Sequence, residues 1–164
     1  MNINDDEHIK EVYTHYGLAM YHAQCLERSL SILLAAEASP YLTKIKKSDY
    51  EDILDSLFKK TFGSIFERLK QKVTISDELD KDIEMALQKR NWLAHNYFWE
   101  RARHFMSFKG RNYMLQELKN MSSFFDNIDS NISNITDEWA QKQGITQNRI
   151  EQLMLELAND IKIT

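Results

Sequence analysis

The sequence predicts an all-α protein, an up-and-down helical bundle with long antiparallel helices. Hydrophobic residues make up 43% of the 164 residues, but there are only four glycines and one proline. Such a scarcity of turn formers favours a few long helices over many short strands. Apolar residues recur at spacings of three and four along most of the chain, which is the periodicity of amphipathic helices. No segment shows the alternation typical of a strand.

Length and charge limit the organisation of the chain. At this length we expect one domain over residues 1–164, with a bundle over about 6–142 and an additional C-terminal helix over 145–162. The formal net charge of −4 excludes a protein that binds polyanions over its whole surface. Contact with a nucleic acid would therefore have to come from a local patch.

The sequence also predicts a location and the absence of bound metal. A single cysteine, Cys25, cannot form an internal disulfide, and no zinc-binding spacing is present. The first residues lack the basic and apolar regions of a secretory signal, and no run approaches the roughly 18 apolar residues of a membrane span. We therefore expect a cytoplasmic protein without a membrane segment, metal or cofactor.

The first helix is predicted over about residues 6–37. Most of its apolar stripe consists of Tyr13, Tyr16, Met20, Ala23, Leu30 and Leu34. Glu27 falls on that stripe, where a charged residue is unexpected.

Two short helices are predicted next. Ser48 with Glu51 and Ser64 with Glu67 have the spacing of capping boxes, and Gly63 is expected to end the first of these helices.

Ser76 is the predicted N-cap of a longer helix that continues to about Met106. Its apolar stripe consists of Leu79, Ile83, Ala86, Leu87, Leu93, Ala94 and Tyr97. Arg90 falls on this stripe. A guanidinium on the buried side of a helix needs a carboxylate, a wet cleft or an anionic ligand. We therefore expect Glu27 and Arg90 to form an ion pair.

The last part of the bundle begins after a turn predicted over residues 107–112. Apolar residues then alternate at spacings of four and three, giving a heptad seam suited to close antiparallel packing within the chain or across a dimer. Its members are Met114, Leu118, Met121, Phe125, Ile128, Ile132, Ile135 and Trp139. Gly144 is expected to end this helix.

Arg90 and His95 together suggest chemistry on a phosphodiester. A histidine can remove the proton of a 2′-hydroxyl or protonate the leaving oxygen, and an arginine can stabilise charge on the phosphate. On a helix the two lie about 140° apart, so they would meet in a cleft between helices or subunits rather than touch. Asn91, one turn before His95, could orient the imidazole.

The surrounding segment is locally basic and aromatic. Between residues 89 and 111, six Lys or Arg stand against one acid, and aromatic residues are interleaved with them. This pattern is compatible with an RNA-binding surface. The candidate RNA-binding residues are Lys89, Trp92, Arg101 and Arg103. The alternative is that the aromatics belong to the core and the charges to a solvated face. His8 and His15 are expected at the surface.

Residues 90–97, RNWLAHNY, resemble the Arg-x4-His-x-Tyr motif of HepT-type toxins in the HEPN superfamily. Members of this superfamily are small all-α proteins, many of them metal-independent ribonucleases of toxin–antitoxin and other defence systems. The resemblance implies that Arg90 and His95 are catalytic and that Asn91 supports them. It also implies a homodimer with a composite groove, and an antitoxin of the nucleotidyltransferase type that modifies Tyr97.

The leading hypothesis is therefore a metal-independent endoribonuclease that cleaves RNA by attack of the 2′-hydroxyl. Two alternatives remain open at this point. The chain could be a non-catalytic HEPN module that binds a nucleotide, RNA or a protein partner. It could also be a helical protein whose heptad seam mediates oligomerisation.

Overall fold

A computed structural model describes the backbone of residues 3–38 and 47–145, and these ranges contain seven helices and no strands. The all-α prediction is confirmed. The helices are α1 (Ile3–Ala38), α2 (Lys47–Phe58), α3 (Phe62–Lys70), α4 (Asp77–His95), α5 (Tyr97–Glu100), α6 (Ala102–Phe105) and α7 (Phe108–Lys142). The helix predicted over 145–162 lies almost entirely outside the described residues.

The three long helices form the centre of the bundle. α4 runs antiparallel to α1, since Tyr16 contacts Leu93 near the end of α4 and Glu27 contacts Arg90 nearer its start. α1 and α7 make the largest interface, and they are parallel, because Asp5 pairs with Arg111 and His22 pairs with Asp126. The antiparallel packing expected of the α7 seam is therefore wrong for its main partner. The up-and-down order of the three long helices explains the difference. The chain reverses direction between α1 and α4 and again between α4 and α7, so α7 runs in the direction of α1.

The heptad seam of α7 lies inside the chain. Its first six members, from Met114 to Ile132, are buried, and Ile135 packs partly buried against the same core. The α1 stripe supplies the opposing residues, with Ala23, Leu30 and Leu34 buried. Burial of these side chains is the main stabilising contribution to the fold. These six members of the seam are therefore occupied within the chain.

Several helix ends follow the predicted chemistry and others do not. Ser76 caps α4 as predicted, with its hydroxyl accepting from the Leu79 N–H at 3.2 Å. α3 is capped by Thr61 rather than Ser64, and it starts three residues earlier than the capping-box pattern indicates. Gly63 consequently lies within α3 instead of ending α2. Gly144 ends the α7 segment with a positive φ of 77°, as expected for a helix-terminating glycine.

The predicted motif helix is interrupted after His95. A continuous helix would use the Leu93 carbonyl to accept from the N–H four residues later, but here that carbonyl accepts from the Tyr16 hydroxyl at 3.1 Å. Asn96 has a non-helical φ of −125°, and the chain continues as two one-turn helices. The expectation of one helix to Met106 is therefore wrong, and His95 stands at a helix end.

Gly110 is needed for close packing rather than for the turn predicted around it. It is buried in the first turn of α7, where a Cβ would lie 2.6 Å from the Cα and carbonyl carbon of His104. We expect Gly110→Ala to lower the free energy of unfolding by about 1–3 kcal/mol, because the backbone of α6 would have to move.

Gly17 offers the matched control for thermal or urea unfolding. It lies exposed in the middle of α1, and an added Cβ there meets no atom within 4 Å. Gly17→Ala should therefore be neutral or stabilise by up to about 1 kcal/mol. Equal losses in the two variants would contradict the close approach at Gly110.

Candidate functional site

The Arg90 guanidinium is held at the interface between α4 and α1. Its Nη2 lies 3.4 Å from Glu27 Oε2, and the two side chains are 29% and 19% exposed. The ion pair predicted between Glu27 and Arg90, the two charged residues on apolar stripes, is therefore present. At this burial the partners are neither freely solvated nor sealed in the core, so the pair can fix the guanidinium while leaving part of it accessible.

Asn91 contacts Arg90 rather than His95. Its Oδ1 accepts a hydrogen bond from Arg90 Nη1 at 3.1 Å. Asn91 and Glu27 thus hold the two terminal nitrogens of the guanidinium from different sides. Asn91 was expected to orient the His95 imidazole, but this hydrogen bond orients the Arg90 guanidinium instead.

A polar cavity opens beside this arginine. Its volume is about 290 Å³, and it lies among α1, α2, α3 and α4. The lining consists of Gln24, Glu27, Arg28, Ser31, Phe58, Ile65 and Arg90. The Nε of Arg90 is buried and finds no hydrogen-bond partner within the described ranges. A buried donor without a partner is uncommon in proteins.

His95 is the last residue of α4, and its side chain is exposed. The Tyr16–Leu93 hydrogen bond, two residues earlier, anchors this end of the helix to α1. The imidazole is therefore carried on a fixed backbone while it remains reachable from solvent.

A single chain does not bring Arg90 and His95 together. Five residues along an α-helix rotate the side chain by about 140°, so the two point to different sides of α4. In the described part of the chain, the hydrogen bonds of Arg90 go to Glu27 and Asn91. A site that uses both groups on one phosphate needs a second surface to complete it.

Tyr97 belongs to the core. It is 1% exposed, and its hydroxyl donates to the Met114 carbonyl at 3.4 Å. Burial, followed by the nearby Glu117 carboxylate, raises the pKa of Tyr97 far above its ordinary value. Covalent modification of this hydroxyl, which the resemblance implies, would therefore require the segment around α5 to open. The modification stays a prediction.

Two of the four candidate RNA-binding residues are engaged within the protein. Arg101 donates to both carboxylate oxygens of Glu117, at 2.9 and 2.7 Å, and its guanidinium lies 4.8 Å from the centre of the Trp92 ring. Trp92 Nε1 donates to Glu100 at 2.8 Å. These contacts tie α4 and α5 to α7, and they explain the two residues without a ligand.

Lys89 and Arg103 remain accessible, on the α7 side of α4. Lys89 lines a groove of about 500 Å³ together with Tyr113 and Phe124. Arg103 lines a neighbouring hollow of about 400 Å³ that also contains Lys109. Tyr113 borders both, so the groove and the hollow adjoin at this residue. We call these two together the α7 groove.

One buried polar cluster, around Arg111, was not predicted from the sequence. Arg111 is 4% exposed, pairs with Asp5, and donates to His8 at 3.2 Å and to the Phe105 carbonyl at 3.0 Å. His8 is therefore buried, contrary to the surface position expected. Arg111 precedes Met114 by three residues on the apolar stripe of α7, which is the same signal that identified Arg90. This cluster anchors the start of α1 to α7 and removes one cation from the basic segment.

Comparisons with models of protein families, with curated proteins and with solved structures give no match. Within residues 3–38 and 47–145, no group of three His, Cys, Asp or Glu side chains converges in a way that could hold a metal ion. No helix in these ranges combines the length and the apolar character needed to cross a bilayer.

Proposed function

We propose that the protein is a metal-independent endoribonuclease of the HEPN type, acting as a toxin or defence component. The observation that carries the proposal is the state of Arg90. Its guanidinium is held by Glu27 and Asn91 yet borders an open cavity, and the exposed His95 follows on the same helix. Fixed cations that remain partly accessible are suited to stabilising charge on a phosphate.

In the proposed reaction, the imidazole of His95 removes the proton of the ribose 2′-hydroxyl. The 2′-oxygen attacks phosphorus, the bond to the 5′-oxygen breaks, and that oxygen takes up the proton that the His95 imidazolium releases, which regenerates the neutral imidazole. The products are a 2′,3′-cyclic phosphate and a 5′-hydroxyl end. Arg90 stabilises the additional negative charge on the phosphoryl oxygens in the transition state.

Because the two groups diverge on one helix, we propose a homodimer in which Arg90 of one subunit and His95 of the other act on the same phosphate. The segment after the motif supports this arrangement. Trp99 and Met106 are 86% and 83% exposed, and Phe108 is also exposed. A contiguous patch of large exposed apolar side chains is typical of an interaction surface, and we propose that these three residues contribute to one.

The oligomeric state can be tested with Trp99→Glu combined with Met106→Glu. We expect this double variant to sediment as a monomer and to lose cleavage activity, since a charge at each position opposes burial in an interface. Tyr21→Glu is the control, because Tyr21 is an exposed aromatic residue on α1, 59% accessible. A wild-type protein that sediments as a monomer would contradict the composite site.

The α7 groove is the proposed path of the RNA backbone. We expect Lys89→Ala and Arg103→Ala each to weaken binding of single-stranded RNA. Each should also reduce the slope of the logarithm of the binding constant against the logarithm of salt concentration by about 0.7, because one phosphate contact is lost. The contrast is Arg101→Ala, which should lower the melting temperature because it breaks the paired contact with Glu117. Binding measured by fluorescence anisotropy at several salt concentrations distinguishes the two effects.

The function itself is tested by incubating the purified protein with labelled RNA in the presence of a chelator. We expect cleavage to persist and the new 3′ ends to carry a cyclic phosphate. Full dependence on Mg²⁺ would contradict the proposal, as would intact RNA at micromolar protein. In the cell, expression should slow growth in the wild type and not in His95→Ala. A nucleotidyltransferase-type antitoxin is the proposed partner that relieves this effect.

A further inference from the structure

The cavity beside Arg90 contains a second cation that the proposed reaction does not use. Arg28, on α1, lies one residue after Glu27 and lines the same cavity. Its guanidinium stacks on the ring of Phe58 from α2, with 4.0 Å between the guanidinium carbon and the ring centroid. This stacking restrains a long side chain that would otherwise sample many rotamers at the surface.

The charges around the cavity favour an anion. The two guanidiniums face one carboxylate, Glu27, so the charged lining side chains sum to about one positive charge. Two arginines that present several N–H donors to one space match the oxygens of a phosphate group better than those of a neutral ligand.

The size of the cavity limits what can enter it. About 290 Å³ is just below the range of roughly 300–1,000 Å³ found for small-molecule sites. A single nucleotide unit is therefore the appropriate scale. The rest of the lining contains an aromatic ring and two uncharged polar side chains, Gln24 and Ser31, which suits a ribose or a base beside a phosphate.

We infer that this cavity binds a phosphate group carried on one nucleotide unit, and that Arg28 is a second phosphate-binding residue acting together with Arg90. The phosphate could belong to an RNA strand or to a free mononucleotide, since both present the same oxygens. Its assignment to the cleaved strand rests on the proposed ribonuclease function. The binding of phosphate does not depend on that function.

The first experiment measures binding without catalysis. Isothermal titration with 5′-AMP, and thermal unfolding in sodium phosphate against sodium chloride of equal ionic strength, are compared in the wild type, Arg28→Gln and Arg68→Gln. We expect the wild type and Arg68→Gln to bind alike, and Arg28→Gln to bind about tenfold more weakly. Arg68 is an exposed arginine of α3 outside this cavity. Equal binding by all three, or no binding by the wild type, would overturn the inference.

The second experiment identifies the source of the phosphate. If the cavity holds the cleaved strand, Arg28→Gln should raise KM for an RNA oligonucleotide about tenfold, and 5′-AMP should inhibit competitively. If AMP binds through Arg28 while cleavage is unchanged, the phosphate site is supported and its assignment to the RNA strand is overturned. Cleavage that is absent in the wild type, with AMP binding intact, contradicts the ribonuclease and leaves the phosphate site supported.

Discussion

His95→Ala is expected to lower the rate of RNA cleavage by about 10²- to 10⁴-fold, which is the range for loss of a general acid–base group. The fold should be unaffected. The side chain is exposed at the end of α4, where truncation leaves no cavity and exposes no core residue. Helical content and melting temperature should therefore match the wild type within error.

The measurement is a single-turnover time course with excess protein, which separates the chemical step from RNA binding. His22→Ala is the histidine control, since His22 lies on α1 and pairs with Asp126 at 3.3 Å, outside the proposed site. We expect it to cleave at the wild-type rate. If His95→Ala also retains the wild-type rate, the motif is not the catalytic centre and the nuclease assignment must be abandoned.

The sequence was sufficient to predict the features that depend on local periodicity. The α1 and α7 stripes, the Ser76 cap and the end at Gly144 each follow from a few neighbouring residues. The structure contains all of them, except that Tyr13, predicted on the α1 stripe, is exposed. The Glu27–Arg90 contact joins residues 63 positions apart, yet it was also predictable. A charged group on an apolar stripe is stable in few environments, chiefly beside an opposite charge. Two such groups of opposite sign are therefore predicted to pair.

Other features depend on contacts that no local pattern encodes. α4 ends at His95 where the Tyr16 hydroxyl, 77 residues earlier in the chain, takes the Leu93 carbonyl. Arg101 looks like a free cation in the sequence because its carboxylate partner, Glu117, lies on another helix. Arg111 is buried for the same kind of reason. Counting the basic residues of a segment therefore overestimates the positive charge available to a ligand, because some of these residues are paired within the fold.

The direction of helix packing was also beyond the sequence. A heptad seam specifies which face of α7 is buried, but not whether its partner runs parallel or antiparallel. Whether Arg90 and His95 act on one phosphate was likewise beyond the sequence. The spacing fixes their divergence on one helix, and only the arrangement of two chains can decide whether they converge.

Arg90→Ala is expected to reduce kcat by about 10²- to 10³-fold, as for loss of one donor that stabilises the transition-state charge. Glu27→Ala should act on the same step less strongly, because it leaves the guanidinium in place without its positioning carboxylate. It should also lower the free energy of unfolding by about 1–3 kcal/mol, between the values for exposed and fully buried pairs. For a chain of this size, each kcal/mol lost lowers the melting temperature by roughly 2–4 °C.

Glu117→Ala provides the control that separates positioning from stability. The Arg101–Glu117 pair has almost the same burial, with side chains 20% and 16% exposed, but lies on the other side of α4. Its loss should destabilise the protein by a similar amount and leave kcat within a few-fold of the wild type. Because Glu117 also lines the α7 groove, any effect on RNA binding should appear in KM instead. Glu27→Gln, which keeps an oxygen acceptor for Arg90, should recover part of the kcat lost in Glu27→Ala.

The double variant Glu27→Ala/Arg90→Ala tests whether the two residues are coupled. Removing both charges avoids an unpaired guanidinium, so the double variant should be more stable than the sum of the single changes predicts. Its kcat should equal that of Arg90→Ala alone, because the carboxylate acts only through the arginine. Additive losses in kcat would contradict the positioning role and would give Glu27 a separate function in the reaction.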